Sequence, residues 1–511
     1  MAGSGGDRSE PAPARGRPSG ERTSDRRRHI PVSRYDAVVV GSGPNGLAAA
    51  VTLARAGLSV HVVEGSDVAG GGCRTAERTR PGFRHDVCSA AHPLLALSPF
   101  FADPAFDGLR DGLLQPDVPF AHPLDGGGAA TVYRSVDETA DGLGPDGPAY
   151  RRLIGPLVER AGDLATSVLA PLRTLPLHPA TLARFGREGS RSIDQLVGRF
   201  GSEPARALLA GAGAHAARPL SAPSTAGYGL LLTAAAHAVG WPVVAGGSAK
   251  VTDALLDELA RLGGSITTGQ WVRRLDELPG AEVVLLDVAP TSVPDLVGPA
   301  LPDRYRRALG RYRYGSGVCK IDWALSGPVP WTAPACRRAG TLHLGGTAAA
   351  VAAAESDVWS GRHPDRPYCI VVQPGVVDRS RVDGPGETLW AYCHVPRGSD
   401  RDMTVVVAAQ IERHAPGFGD LVLDATTMTA TGMEAYDPNF VGGDIAGGAA
   451  TVVQTLSRPV LRWNPYRVPV AGVYLCSSST PPGAGVHGMC GVYAARTALH
   501  DRFGGPPPFV R

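Results

Sequence analysis

The chain has 511 residues, 43% of them hydrophobic, which is enough for two or three domains with cores of their own. Its net charge of +2 offers no electrostatic ground for a nucleic-acid partner. The eight cysteines are scattered without a C-x-x-C pair, which argues against a metal site or a disulfide framework and for a reducing, cytoplasmic setting.

Residues 1–33 are mostly Gly, Ser, Pro, Glu and Arg. Such a segment cannot bury enough apolar surface to fold, and a disordered tail is predicted. Arg26, Arg27 and Arg28 are not followed by the apolar run of an export signal.

From Tyr35 to Glu64 the chain reads strand, glycine turn, helix, strand, acid. Ala37 to Val40 suit a buried parallel strand. Gly41, Gly43 and Gly46 fill the three positions of G-x-G-x-x-G. The first glycine makes the tight turn, the second lets the backbone reach a pyrophosphate, and the third lets helix and strand pack closely. Pro44 and Asn45 open a helix predicted to run to Ala56, whose first amides and dipole face the phosphates. A second strand, Ser59 to Val63, ends at Glu64, eighteen residues beyond Gly46, where a carboxylate accepts hydrogen bonds from a ribose. The spacing predicts a dinucleotide site.

Residues 96–239 are largely helical in pattern. Within them, Gly211 and Gly213 imitate the fingerprint, but a helical segment precedes them and no ribose acid follows, so they are assigned to helix packing. The longest uncharged stretch, Pro219 to Ala249, is interrupted by Pro223 and Pro242. It predicts a buried helix beside a cavity in place of a membrane span, which would be more uniformly apolar. A Gly-Gly turn then leads into an amphipathic helix, Lys250 to Leu262, a strand through Ile266, and Val272 as a candidate cofactor contact. Glu282 to Val288 gives another buried strand. Residues 301–454 mix strands, VCKIDWAL, YCIVVQP and TLWAYCHVP, with loops. A last strand, VYLCSS, precedes a glycine-rich turn and a helix over Val486–Leu499.

Further motifs extend the reading. Gly70-Gly71-Gly72-Cys73-Arg74-Thr75 and Gly82-Phe83-Arg84-His85-Asp86 follow the first unit, and Pro482-Gly483-Ala484-Gly485-Val486-His487-Gly488 lies near the C-terminus. With these motifs the chain resembles the phytoene desaturase-like FAD-dependent oxidoreductases over nearly everything after residue 34. That resemblance implies an α/β fold: a discontinuous Rossmann-like FAD-binding domain of the glutathione-reductase type, from residues 34–95, 240–300 and 455–511. An α+β substrate domain would be formed by the inserts 96–239 and 301–454. It implies FAD held at its adenine end by Gly41–Glu64, Gly70, Gly71, Arg74 and Thr75, and at its flavin end by Gly485, Val486, His487, Gly488 and Met489. Two positions depart from the family pattern. Gly72 stands where relatives often carry arginine, and Ser477-Ser478-Ser479 replaces the usual aspartate, leaving the Ser479 hydroxyl to bond the ribityl chain or a phosphate.

Lys320, one of only two lysines, lies on a predicted strand eleven residues before Trp331. The arrangement is similar to that of flavin amine oxidases, whose lysine holds a water near flavin N5. His487, inside the flavin loop, is the second candidate for proton chemistry, as a ring contact, an acid or base, or a helix cap. His394 on a predicted strand, His215 just before the uncharged stretch and His237 within it read first as structural, with His215 and His237 also candidates to line a cavity. Asp444 follows a Gly442-Gly443 pair that suits close backbone approach.

The resemblance implies hydride transfer from a C–H bond of a small apolar, isoprenoid-like substrate to flavin N5, with oxygen or a quinone as final acceptor and a cytoplasmic protein that makes peripheral contact with a membrane. Two alternatives stand beside it: a flavin amine oxidase, and an FAD-bound structural protein without turnover. No sequence feature specifies an oligomeric state.

Overall fold

A computed structural model describes residues 35–171, 174 and 176–509; the tail predicted at residues 1–33 lies outside them. The valine run of Tyr35–Val40 becomes the central strand of a five-stranded parallel sheet. Its order is Val473–Leu475, Ala281–Leu286, Tyr35–Val40, Val60–Val63, Ser265–Thr267. Ala37, Val38, Val39, Val62 and Leu285 are fully buried, as strands covered on both faces require. The helix Pro44–Arg55 starts on a proline, which costs nothing where the amide has no intrahelical partner. It packs against the last helix, Met489–Arg502. A Cβ on Gly491 would stand 1.9 Å from the Asn45 carbonyl oxygen, so glycine is what lets the two helices touch.

A seven-stranded sheet forms the second layer system. Its order is Val422–Met428, Gly317–Leu325, Glu387–Val395, Cys369–Val372, Ala339–Leu344, Val118–Pro123, Ala129–Val132. All its pairs are antiparallel except that of Ala339–Leu344 with Val118–Pro123. Alternation sends Cys319, Ile321 and Trp323 into one core with Leu389, Ala391 and Cys393. Val318, Trp390, Tyr392, Ile370 and Val372 lie in the other, against the helices of residues 136–238.

Four elements differ from the sequence reading. Val118–Pro123 and Ala129–Val132 are strands inside the insert read as helical. Pro119 and Pro123 hide the first, because proline removes a ladder donor and weakens the strand signal. The helix predicted from Val486 begins at Met489, because Gly488 sits at φ +70°, in the left-handed region that a helix cannot continue through. The strand predicted to reach Val288 stops at Leu286, which frees Asp287 to turn toward the glycine loop.

The uncharged stretch holds the helix Thr225–Ala238, with Pro223 and Pro242 outside it. Gly211 and Gly213 lie on the helix Glu203–Ala214, where a Cβ on Gly213 would meet Ile193 at 2.6 Å.

Candidate functional site

A cavity of about 1270 Å³ runs from the end of the parallel sheet to the face of the seven-stranded sheet. Single small ligands occupy roughly 300–1,000 Å³, so this space exceeds what one of them needs.

At the parallel-sheet end the wall is the loop after the first strand. Gly41, Gly43, Pro44 and Asn45 line it, with Glu64 beside them. The next glycine loop closes against this one: a Cβ on Gly71 would stand 3.2 Å from the Gly43 Cα. The cradle is therefore backbone against backbone at a helix N-terminus, the arrangement that accepts a pyrophosphate. Asn45 is buried at its edge, and its Oδ1 has no protein partner. These residues fit a dinucleotide. Glu64 is held in place by Ser42, whose N–H and hydroxyl donate to its Oε2 at 2.8 and 2.6 Å, and by the Ser66 N–H. Arg74 lines the cavity with its guanidinium 3.7 Å from Glu64 and donates to the Tyr436 hydroxyl. Val272 also lines it.

Other predicted residues stand behind the wall. The Gly46 N–H donates to Asp287, and the Gly70 N–H donates to the Ser42 hydroxyl. The Thr75 hydroxyl donates to Asp86, whose carboxylate also accepts the Ser248 N–H and pairs with Arg381. The G-F-x-x-D acid is thus a structural hub. Ser477 and Ser478 line the cavity, while Ser479 bonds Ser477.

At the end predicted to hold the flavin, Ala484, Gly485 and Val486 line the cavity. His487, Gly488 and Met489 lie behind them. The His487 Nδ1 accepts the Met489 N–H at 3.0 Å, which caps the last helix and puts the ring proton on Nε2. Burial pushes this imidazole down to about 4, so it is neutral at pH 7. Gly488 faces Ala48 and Phe100, where a side chain would clash with the first helix.

Lys320 is buried on the cavity-facing side of its strand, yet outside the cavity wall. It ion-pairs with Asp322 and donates to the Asp86 carbonyl at 2.9 Å. Burial lowers its pKa, and Asp322 opposes that shift. Trp331 lies in the core on the other face, its indole N–H donating to Gln373.

Of the histidines read as structural, His237 bonds the Tyr150 hydroxyl and the Arg134 carbonyl within the core. His215 and His394 line the cavity. So does Asp444, which accepts the Gly315 and Ala446 amides. Gly442 and Gly443 pack on Arg397 and Ala430. Leu232 and Trp241 carry the uncharged stretch to the cavity wall, whereas Leu231 packs on the neighbouring core.

Sequence reasoning missed Asp287. A Cβ on Gly43 or Gly46 would meet its Oδ2 at 2.7 or 2.9 Å. Burial pushes its pKa up to about 7, against the Gly46 N–H, which favours the charged form. The folded state therefore holds this proton at pH values where the unfolded chain, near 3.8, has released it. Stability of the cofactor-free protein should fall by up to about 1.4 kcal/mol per pH unit between about pH 4 and 7 from this group. Asp287→Asn should therefore raise the denaturation midpoint at pH 8 and leave it unchanged at pH 4. Equal midpoint shifts at both pH values would count against a buried, protonated Asp287.

Residues 39–101 match the family model for the NAD(P)-binding Rossmann-like domain. Pyridine nucleotide-disulfide oxidoreductase domain-containing protein 2 of Mus musculus is 28% identical over 91% of this chain and 94% of its own length. Phytoene desaturase of Neurospora crassa is 39% identical over 82 residues, which is 16% of this chain and 13% of that one. The structure of putrescine oxidase bound to putrescine superposes with a TM-score of 0.58 at 20% identity, covering 92% of this chain and 99% of that one. The chain is thus similar over nine-tenths of its length to pyridine nucleotide-disulfide oxidoreductase domain-containing protein 2 and over a short stretch to a phytoene desaturase, on an α/β fold with a Rossmann-like domain shared with FAD-dependent oxidoreductases.

Proposed function

We propose that the protein is an FAD-dependent oxidoreductase that removes a hydride from a C–H bond of an apolar, isoprenoid-like substrate. The observation that carries this reading is the single continuous cavity, which joins the backbone cradle at Gly43 and Glu64 to an apolar chamber. Bound FAD would supply the two-electron acceptor. The protein contributes the cradle, the carboxylate at Glu64, and a wall of Val318, Ile370, Val372 and Leu232 that excludes water. That aliphatic wall favours an apolar substrate over a polyamine, although putrescine oxidase has the same fold. Oxygen or a quinone is the proposed final acceptor.

Purified protein should be yellow and release FAD, not FMN or NAD, on denaturation, as read by chromatography of the supernatant. Glu64→Ala should weaken FAD retention about 10- to 100-fold, since a hydrogen bond to a charged group contributes about 1.5–3 kcal/mol. Colourless protein that cannot be reconstituted with FAD would remove the proposal.

An apolar substrate also needs a source. Among the described residues no helix is long and apolar enough to cross a membrane. However, Val453, Leu461 and Trp463 are 72%, 70% and 76% exposed within a dozen residues. Exposed Arg311 and Arg313 flank them, because Gln454 grips the Arg313 backbone. An apolar strip edged by arginine suits the surface of an anionic bilayer. Co-sedimentation with phosphatidylserine-containing vesicles should fall at least fivefold in a Leu461→Ser, Trp463→Ser double variant. Unchanged sedimentation would exclude this surface.

A further inference from the structure

An exposed indole stands beside the ribose acid. Trp271 is 53% exposed and yet lines the cavity, together with Glu64 and Gly65. A lone exposed apolar side chain is ordinary on a protein surface, but this one is held in place. The Glu64 N–H donates to the Thr267 carbonyl at 2.8 Å, the Gln270 N–H to the Glu64 carbonyl at 2.9 Å, and the Gly269 N–H to the Ser66 carbonyl at 2.9 Å. These bonds continue the pairing of Val60–Val63 with Ser265–Thr267 past the ends of both strands. The loop that carries Trp271 is thus tied by its backbone to the segment that carries the acid.

The indole rests on Gly65. A Cβ at that position would stand 2.4 Å from the Trp271 Cε3, 3.0 Å from Cζ3 and 3.4 Å from Cδ2. Three atoms of the six-membered ring therefore crowd one backbone carbon, and any other residue would push the ring away. Gly65 does not have a left-handed backbone, so no turn demands glycine there. What uses the missing side chain is the indole. Glu64 is the preceding residue, with its carboxylate oriented by Ser42 and Ser66. A ribose held by that carboxylate carries its base one glycosidic bond away, which brings the base beside the ring on Gly65.

We propose that Trp271 stacks on the adenine ring of the bound dinucleotide and thereby selects a cofactor with an adenosine half. An indole offers a large, rigid aromatic face, and a purine is recognised by such a face through stacking. The Glu64 carboxylate accepts the ribose hydroxyls and repels a ribose that carries a phosphate. FMN has no adenosine and gains nothing from either group. Trp271 is thus a specificity-determining residue, which discriminates FAD from FMN without touching the flavin. The inference deepens the proposed function and rests on its reading of the cavity as an FAD site.

The test uses the full chain, as purified and after removal of bound FAD, with the denaturation midpoint checked for each variant. Release of FAD is followed by flavin fluorescence on dilution, and ADP and FMN are titrated by calorimetry and tryptophan fluorescence. Trp271→Ala should weaken FAD and ADP binding about 5- to 150-fold and leave FMN binding unchanged. Its midpoint without cofactor should stay near that of the wild type, because the side chain is half exposed. Trp271→Phe should retain most of the ADP affinity, whereas Trp271→Leu, apolar but without a ring, should behave like the alanine variant. Gly65→Ala should weaken ADP binding in the wild type and have no further effect in Trp271→Ala, because it acts through the indole. ADP affinity unchanged in Trp271→Ala, leucine replacing tryptophan without loss, or Gly65→Ala costing the same in both backgrounds overturns the inference. Trp271-dependent binding of ADP by protein that holds no FAD overturns the flavoprotein reading alone, and FAD held equally by wild type and Trp271→Ala overturns this inference alone.

Discussion

Gly46→Ala is expected to give colourless protein that is also markedly less stable. A Cβ at this position would lie 2.3 Å from the Gly41 carbonyl oxygen and 2.9 Å from the Asp287 carboxylate. The first of these is backbone in the turn itself and cannot rotate away. Relief requires the helix Pro44–Arg55 to withdraw from the sheet, which opens the cradle formed by Gly43 and Gly71. Overpacking of this kind costs about 1–3 kcal/mol, and loss of the Gly46 amide bond to Asp287 adds to it. The measurements are FAD absorbance per protein and the urea midpoint. Gly108→Ala serves as the control, since nothing lies within 4 Å of its Cβ. If both variants keep wild-type colour and midpoint, the cradle is not as tight as described.

Arg381→Leu should be the most destabilising of the single charge removals. Arg381 is fully buried and pairs with Asp86 at 2.8 Å and Asp378 at 2.6 Å, while its third nitrogen donates to the Val244 carbonyl. Asp86 in turn holds Thr75 and the Ser248 amide. One guanidinium therefore ties a loop next to the seven-stranded sheet to the segments that frame the glycine loops. Its removal leaves two buried carboxylates without their cation, a change that costs about 3–5 kcal/mol. The variant should show a large drop in denaturation midpoint and poor recovery of soluble protein. A loss under about 1 kcal/mol would show that water or another cation takes over the site.

The glycine loop, the first helix and Glu64 were legible in the sequence because they are local: thirty consecutive residues state their own strand, turn and helix periods. The reading failed where a residue acts through a distant partner. Asp287 touches Gly46 only because Val40 pairs with Leu286, and nothing within either segment announces that register. His394 reads as a structural histidine until its strand is set beside the helix that carries Glu355. The Asp86 motif was recognised, but its use as a hub for Thr75, Ser248 and Arg381 depends on three segments far apart in the chain. Proline hid Val118–Pro123, and a left-handed glycine displaced the last helix by three residues.

The order of the parallel sheet also sets a timetable. Val60–Val63 pairs on its outer side with Ser265–Thr267, and Tyr35–Val40 pairs with Ala281–Leu286, each more than 200 residues later. At about 5–20 residues per second, the ribosome needs roughly 10–40 s to deliver those partners. Until then two valine-rich strands have emerged with unpaired edges, the kind of segment that templates association between nascent chains. The last strand of the sheet, Val473–Leu475, follows well over 100 residues after Ala281–Leu286. Yield on overexpression should therefore depend on chaperone supply and growth temperature more than on the equilibrium stability of the finished protein.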